Sequence, residues 1–295
     1  MQSLREIRGM LTEVGLVPRK RAGQCFLVDQ NLLGKLLALA ELTGRETVLE
    51  VGPGTGSLTE ELLARAARVV AVEIDRRLVE LLRRHMGDRS GLVLIAGDVL
   101  AGKHKISRKV LKAAGPVAHM VSNLPYSIAT PLVAECLLQS WRGTAAGSQA
   151  CRFDRLTFTV QREVADRLAA RPGGGQYGPV SVLVSLLGRL KVGPAVPSSA
   201  FWPKPKVASR MLRIDFDKSA ATGLHDARVL IDLLAMVFSQ RRKQIGSVMR
   251  KGSGRFPVEG LLCGLSAAGV DPTHRPQQIA PEQFLTLANV LAGVP

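Results

Sequence analysis

From Thr47 to about Phe216, short runs of apolar and β-branched residues alternate with stretches whose apolar residues recur every three or four positions. Thr47-Val48-Leu49-Glu50-Val51, Val69-Val70-Ala71-Val72-Glu73, Leu92-Val93-Leu94-Ile95, residues 117–121 and Thr157-Phe158-Thr159-Val160 read as five buried strands. Runs of that length and composition suit a sheet covered on both faces. Between them, Leu62-Leu63 and then Leu78, Leu81 and Leu82 have helical spacing. Ser57 is expected to cap the first of these helices, with Glu60 three residues on completing a capping box. Strands alternating with helices predict an α/β, doubly wound, mostly parallel sheet with helices on both faces.

The strand pattern stops after Asp217. Residues 225–249 have helical periodicity, and two or three shorter helices follow through Val290. The expected organisation is an α/β domain over residues 1–218 and a small all-helical domain over 219–295. Two stretches interrupt the first domain. Residues 102–115 hold Lys103, His104, Lys105, Arg108, Lys109 and Lys112, a basic insert between the third and fourth strands. Arg171-Pro172-Gly173-Gly174-Gly175-Gln176-Tyr177-Gly178 reads as a flexible loop with one embedded aromatic.

Charge adds a partner to this picture. The 295 residues are 46% hydrophobic and 22% charged, a globular composition, yet the formal net charge is +16. Clustered excess Lys and Arg imply a polyanion, nucleic acid before membrane, because each phosphate contact releases condensed counterions. Cys25, Cys136, Cys151 and Cys263 form no C-x-x-C pair, which argues against zinc and against a disulfide framework and fits a reducing cytosol. No metal site is expected. The charge-interrupted amino terminus is no signal peptide, and no apolar run is long enough to span a bilayer. A cytoplasmic protein with no membrane partner is the expectation.

The candidate chemistry lies at strand ends. Glu50-Val51-Gly52-Pro53-Gly54-Thr55-Gly56 separates a strand from a helix, where doubly wound folds bind nucleotides. A P-loop would need Gly-Lys-Ser/Thr, which does not occur, and a dinucleotide fingerprint would place its third glycine at position 57 instead of Gly56. This E-x-G-x-G-x-G form resembles the S-adenosylmethionine loop of class I methyltransferases. Glu73, ending the second strand, is placed to accept from both ribose hydroxyls, and Asp98, after the third, from an adenine amino group.

Ser122-Asn123-Leu124-Pro125-Tyr126-Ser127 follows the fourth strand. An exocyclic amino nitrogen is a poor nucleophile because its lone pair is delocalised into the base. Acceptors that hold both N–H bonds turn that lone pair toward a methyl donor without a strong base. The Asn123 side-chain oxygen and the carbonyl of Leu124 or Pro125 suit that task, proline fixes the backbone, and Tyr126 offers a stacking face.

With these motifs the chain resembles the rRNA adenine N6,N6-dimethyltransferase family, in particular bacterial enzymes that dimethylate two adjacent adenines of small-subunit (16S) rRNA. The resemblance spans nearly the whole chain. It rests on Arg19-Lys20-Arg21-Ala22-Gly23-Gln24-Cys25-Phe26-Leu27, the glycine loop, Glu73-Ile74-Asp75, Gly97-Asp98 and Asn123-Leu124-Pro125-Tyr126. Val160-Gln161-Arg162-Glu163-Val164, Phe201-Trp202-Pro203-Lys204-Pro205-Lys206-Val207 and Ser239-Gln240-Arg241-Arg242-Lys243 extend it. It implies S-adenosyl-L-methionine as cofactor, a Rossmann-like catalytic domain, a helical RNA-binding domain, and a monomer acting on the small ribosomal subunit. It implies a cofactor site of Gln24, Cys25, Leu27, Gly52, Gly54, Gly56, Glu73, Asp98 and Asn123, and a catalytic group of Asn123, Pro125, Tyr126 and Phe201. Phe201 would sandwich the target adenine against Tyr126. Arg241, Arg242 and Lys243, beside Arg250, Lys251 and Arg255, would contact RNA phosphates, with Arg19-Lys20-Arg21 a second candidate.

This chain carries Cys25 where family members usually have Asn, Ser127 for a common Asn, Ala208 for an Asp and Gln244 for a Thr. At position 25 a backbone contact would survive the change. Three other readings stay open on sequence alone: a large-subunit (23S) rRNA adenine N6-methylase, a non-catalytic ribosome assembly factor, and, more remotely, a DNA adenine methylase.

Overall fold

A computed structural model describes residues 2–18, 24–102, 105–144, 150–252 and 255–293. Seven strands form one sheet: β1 (Thr47–Val51), β2 (Arg68–Glu73), β3 (Leu92–Ala96), β4 (Val117–Asn123), β5 (Arg152–Gln161), β6 (Gly188–Val196) and β7 (Ser209–Phe216). Their spatial order is β3-β2-β1-β4-β5-β7-β6. The first five run parallel, and β7 lies antiparallel to β5. The chain order reverses on either side of β1, between β2 and β4, and a crevice opens there at the carboxyl ends of the strands.

Burial explains why these runs are strands. Val48 and Leu49 of β1 and Val69–Val72 of β2 are almost wholly buried, as a sheet covered on both faces requires. The helix Gln30–Ala40 buries Leu32, Leu33, Leu36, Leu37 and Ala40 in a cluster with Val48, Val69, Val121 and Met211. Asp29 caps it, accepting from the Leu32 amide at 3.0 Å. The helix Arg76–Met86 buries Leu78, Val79, Leu81, Leu82 and Met86 and is capped by Asp75.

Two local expectations need correction, and the basic insert gains detail. Ser57 does not cap the helix Ser57–Leu63; Gly56 holds the N-cap position at φ +89° with no side-chain cap. A left-handed residue there suits glycine, and Ser57, one step inside, instead donates from Oγ to Gln2 Oε1 at 2.8 Å. The basic insert carries structure of its own. Leu100 bridges Ile106, and Arg108–Ala114 is a helix that buries Val110 and Ala114; Lys103 and His104 lie outside the described residues. The glycine-rich stretch 171–178 is not free either. Tyr177 is fully buried, its hydroxyl donates to the Ile279 carbonyl at 3.0 Å, and its ring meets Phe238 edge-on at 6.0 Å.

The chain forms two compact units. One comprises Met1–Ala165 and Leu190–Phe216, and holds nearly all of the sheet. The other comprises Asp166–Arg189 and Asp217–Pro295. The second unit packs Pro179–Leu187 with Ala227–Ser239, Val258–Ala267 and Pro281–Leu291. Its apolar centre includes Tyr177, Leu230, Leu233, Phe284 and Leu287, each essentially buried.

Candidate active site

At the carboxyl ends of β1, β2 and β4 lies a cavity of about 440 Å³. Gly52, Pro53 and Gly54 after β1 form one wall, Glu73, Ile74 and Asp75 the second, and Gly97 and Asp98 the third. Asn123, Leu124, Pro125 and Tyr126 come from the end of β4, and Gln24, Cys25, Phe26 and Leu27 from the amino-terminal segment.

The glycines are there for close approach. Gly52 has φ +71°, and a Cβ on it would stand 3.0 Å from Pro125 Cγ, so the loops after β1 and β4 touch only because Gly52 is bare. Gly54 has φ +62°, and a Cβ there would meet the Phe26 ring at 2.8 Å. Gly56 does not line the cavity; it faces Leu82 and Met86 behind the loop.

The acidic residues are held by backbone. Glu73 is buried and accepts from the Gly54 amide at 3.2 Å and from the Asp75 amide at 2.9 Å. Burial raises its pKa, opposed by these hydrogen bonds. Glu50, 1% exposed, is pushed up to about 8 by burial, which outweighs the hydrogen bond donated by Thr59 Oγ1 at 2.7 Å; the nearby Glu73 carboxylate adds to the rise. Asp98 Oδ1 accepts from the Leu100 amide at 2.8 Å. Gln24 Nε2 donates to Asp75 Oδ2 at 3.1 Å, bridging the amino-terminal segment to the end of β2.

Asn123 is the last residue of β4, and its two side-chain atoms differ in kind. Nδ2 donates to the Cys25 carbonyl at 3.2 Å. Oδ1 is buried and, among the described residues, has no hydrogen-bond partner. With the donor already engaged, the amide presents an acceptor in the cavity wall. Position 25 therefore serves Asn123 through its backbone, and the Cys25 side chain is not what that contact needs. The Leu124 amide donates to the Thr159 carbonyl at 3.2 Å, and the Pro125 carbonyl accepts from the Ile128 amide at 3.2 Å. Tyr126 is half-buried, with its hydroxyl 3.0 Å from Ser209 Oγ. Burial raises its phenol above the usual range, so it stays neutral and is no base.

The cavity thus brings together Gln24, Cys25, Leu27, Gly52, Gly54, Glu73, Asp98, Asn123, Pro125 and Tyr126. It does not include Phe201, which is 3% exposed, pairs with Leu27 in a two-residue ribbon and packs into the core beside Leu33 and Leu36. Arg241, Arg242 and Lys243 are exposed in the helical unit. Within that unit Arg241 donates to the Gly175 carbonyl at 2.9 Å. Arg19, Lys20 and Arg21 lie outside the described residues. Sequence reasoning did not assign Phe26 or Ile74 to the site. Ile74 carried a signal: a large apolar residue directly after a strand-end acid, 68% exposed at the cavity rim.

Comparison with known proteins follows the same lines. Residues 16–293 match the model of a family described as ribosomal RNA adenine dimethylase. A ribosomal RNA small subunit methyltransferase A from Moorella thermoacetica is 36% identical over 288 residues, covering 96% of this chain and 95% of its own. A protein of the same description from Phenylobacterium zucineum is 35% identical, covering 98% and 93%. Among solved structures, a dimethyladenosine transferase from Plasmodium falciparum shares the fold at TM-score 0.67 and 23% identity, covering 88% of this chain and 94% of its own. A 23S rRNA methyltransferase, ErmE, aligns at TM-score 0.61 and 25% identity, covering 90% and 99%.

Proposed function

The chain belongs to the ribosomal RNA adenine dimethylase family, and on that premise we propose that it transfers methyl groups from S-adenosylmethionine to the N6 amino groups of adjacent adenines in small-subunit (16S) rRNA. The observation that carries this reading is Asn123 Oδ1, a buried acceptor with no hydrogen-bond partner among the described residues, in the wall of a cavity built from glycines and acids.

The residues present fit the cofactor. Bare Gly52 and Gly54 let the loop pack against Pro125 and Phe26, which a Cβ would meet at 3.0 and 2.8 Å, and so keep the cavity wall in place. Glu73 keeps lone pairs for ribose hydroxyls beyond those used by Gly54 and Asp75, and Asp98 keeps lone pairs for an adenine amino group. Ile74 offers an apolar face beside them. When bound, S-adenosylmethionine supplies an electrophilic methyl group. Asn123 Oδ1 accepts one N6 hydrogen of the substrate, and the carbonyl of Leu124 or Pro125 accepts the other. That pair of hydrogen bonds orients the nitrogen lone pair without deprotonating it first. Tyr126, held by Ser209, provides the flat face against which the extruded base stacks. Phe201 supports the fold of the site from behind, through its pairing with Leu27.

A non-catalytic assembly role drew its support from Cys25. That support goes, because position 25 contributes a carbonyl that any residue supplies. The test is methyl transfer to small subunits purified from a strain lacking this protein. Asn123→Ala is expected to slow transfer by about a hundredfold or more, with affinity for S-adenosylmethionine changed only a few-fold. Transfer at the wild-type rate would remove Asn123 from the mechanism.

A further inference from the structure

The helix Leu4–Glu13 has an ordinary reason to exist. Ile7 and Leu11 are fully buried beside Leu78 and Leu81, and Phe26 and Trp202 pack against the same cluster. Ser3 starts it with a reciprocal capping box, the Glu6 amide donating to Ser3 Oγ at 3.3 Å and the Ser3 amide to Glu6 Oε2 at 2.6 Å. None of that packing needs a glutamine one residue earlier. Yet Gln2 is only 8% exposed, and both ends of its side-chain amide are engaged more than fifty residues away. Nε2 donates to the Thr55 carbonyl at 2.9 Å, and Oε1 accepts from Ser57 Oγ at 2.8 Å.

Thr55 and Ser57 both line the cavity. They alternate with Gly54 at φ +62° and Gly56 at φ +89°. Glycine is conformationally permissive, so a loop hinged on two such residues is not oriented by its own backbone preference. A rigid group that grips the residues between and after the hinges fixes that orientation from outside. A buried polar side chain whose two hydrogen bonds both end on one loop has that effect, because moving the loop would leave the amide unsatisfied.

We propose that Gln2 is a positioning residue of the cofactor site, bridging Thr55 and Ser57 so that the glycine loop is held in its binding conformation. The role rests on the methyltransferase reading above. It gives the amino-terminal helix a function beyond packing, since the helix sets where Gln2 stands.

The experiment measures KM for S-adenosylmethionine, kcat at saturating cofactor and KM for small subunits, in the full chain. Gln2→Met keeps the apolar stem and loses both hydrogen bonds. Its KM for the cofactor is expected to rise about tenfold, with kcat within twofold and the RNA KM unchanged. Gln2→Glu keeps the acceptor for Ser57 but sets a carboxylate oxygen against the Thr55 carbonyl, and is expected to raise the cofactor KM at least as far as Gln2→Met. A merely structural role would lower kcat and both affinities together. Should Gln2→Met fail to fold, Gln2→Glu decides alone: a raised cofactor KM supports the role and an unchanged one overturns it. Wild-type protein that neither binds S-adenosylmethionine nor transfers methyl overturns the methyltransferase reading. An active wild type with unchanged cofactor KM in both variants overturns only the role of Gln2.

Discussion

Glu50 and Glu73 place two buried carboxylates in one wall of the cavity, and the pKa of each is raised by burial. For Glu50 the folded value is about 8, against an unfolded value near the ordinary carboxylate one of about 4.3. The folded state therefore binds the Glu50 proton more tightly than the unfolded state does. The stability this contributes is fully present below about pH 4.3 and is lost as pH rises through about 8. Glu73, shifted in the same direction, adds with the same sign. The ligand-free protein is expected to lose thermal stability from pH 5 to pH 9, and Glu50→Gln, always neutral, to flatten that decline. Melting curves across the range check it; an equally steep decline in Glu50→Gln would rule the Glu50 contribution out. Such linkage was not legible at position 50, where a single Glu inside an apolar strand says nothing about its partner Thr59 nine residues on.

At the scale of elements, the connection from β1 to the helix Ser57–Leu63 shows what a pattern can and cannot tell. Glycines between a strand and a helix announce a binding loop, and the structure puts Gly52 and Gly54 on the cavity wall. The third, Gly56, carries the helix start instead. The capping-box spacing of Ser57 and Glu60 misled because the box needs an extended cap residue, whereas the chain turns left-handed one residue earlier. Gly56→Ala is expected to destabilise by about 1–3 kcal/mol from its φ of +89° alone; the Met86 and Leu82 side chains that a Cβ would crowd are flexible ends. Gly9 is the control. It lies exposed within the helix Leu4–Glu13 with nothing near its missing Cβ, and Gly9→Ala is expected to stabilise by about 0.5–1 kcal/mol. Urea midpoints for the two variants should move in opposite directions. The burial of Phe201 was not legible in the sequence for a related reason. Its strand is two residues long and has no periodicity, and the partner that buries it, Leu27, is far away in the chain.

Over the whole molecule, alternation of strands and helices was enough to announce the sheet, because each parallel strand of a covered sheet is a continuous apolar run. The make-up of the helical unit was hidden. Residues 166–189 join it through Tyr177, which sits in a glycine-rich run that looks like a linker but is pinned to Ile279. That arrangement divides the basic residues 241–243, which sequence alone treats as equals. All three are exposed, but Arg241 is engaged by the Gly175 carbonyl. We expect Arg242 and Lys243 to meet RNA phosphate and Arg241 to brace the unit. Each phosphate contact releases counterions, so affinity for RNA should fall linearly with the logarithm of salt concentration, with a slope of about 0.7–0.9 per contact. Replacing Arg242 and Lys243 together by Ala should weaken binding and reduce the slope by close to two contacts' worth. Arg241→Ala should change the slope less while lowering the melting temperature, since it releases the loop around Gly175. Equal slope losses per residue at all three positions would return Arg241 to the RNA surface.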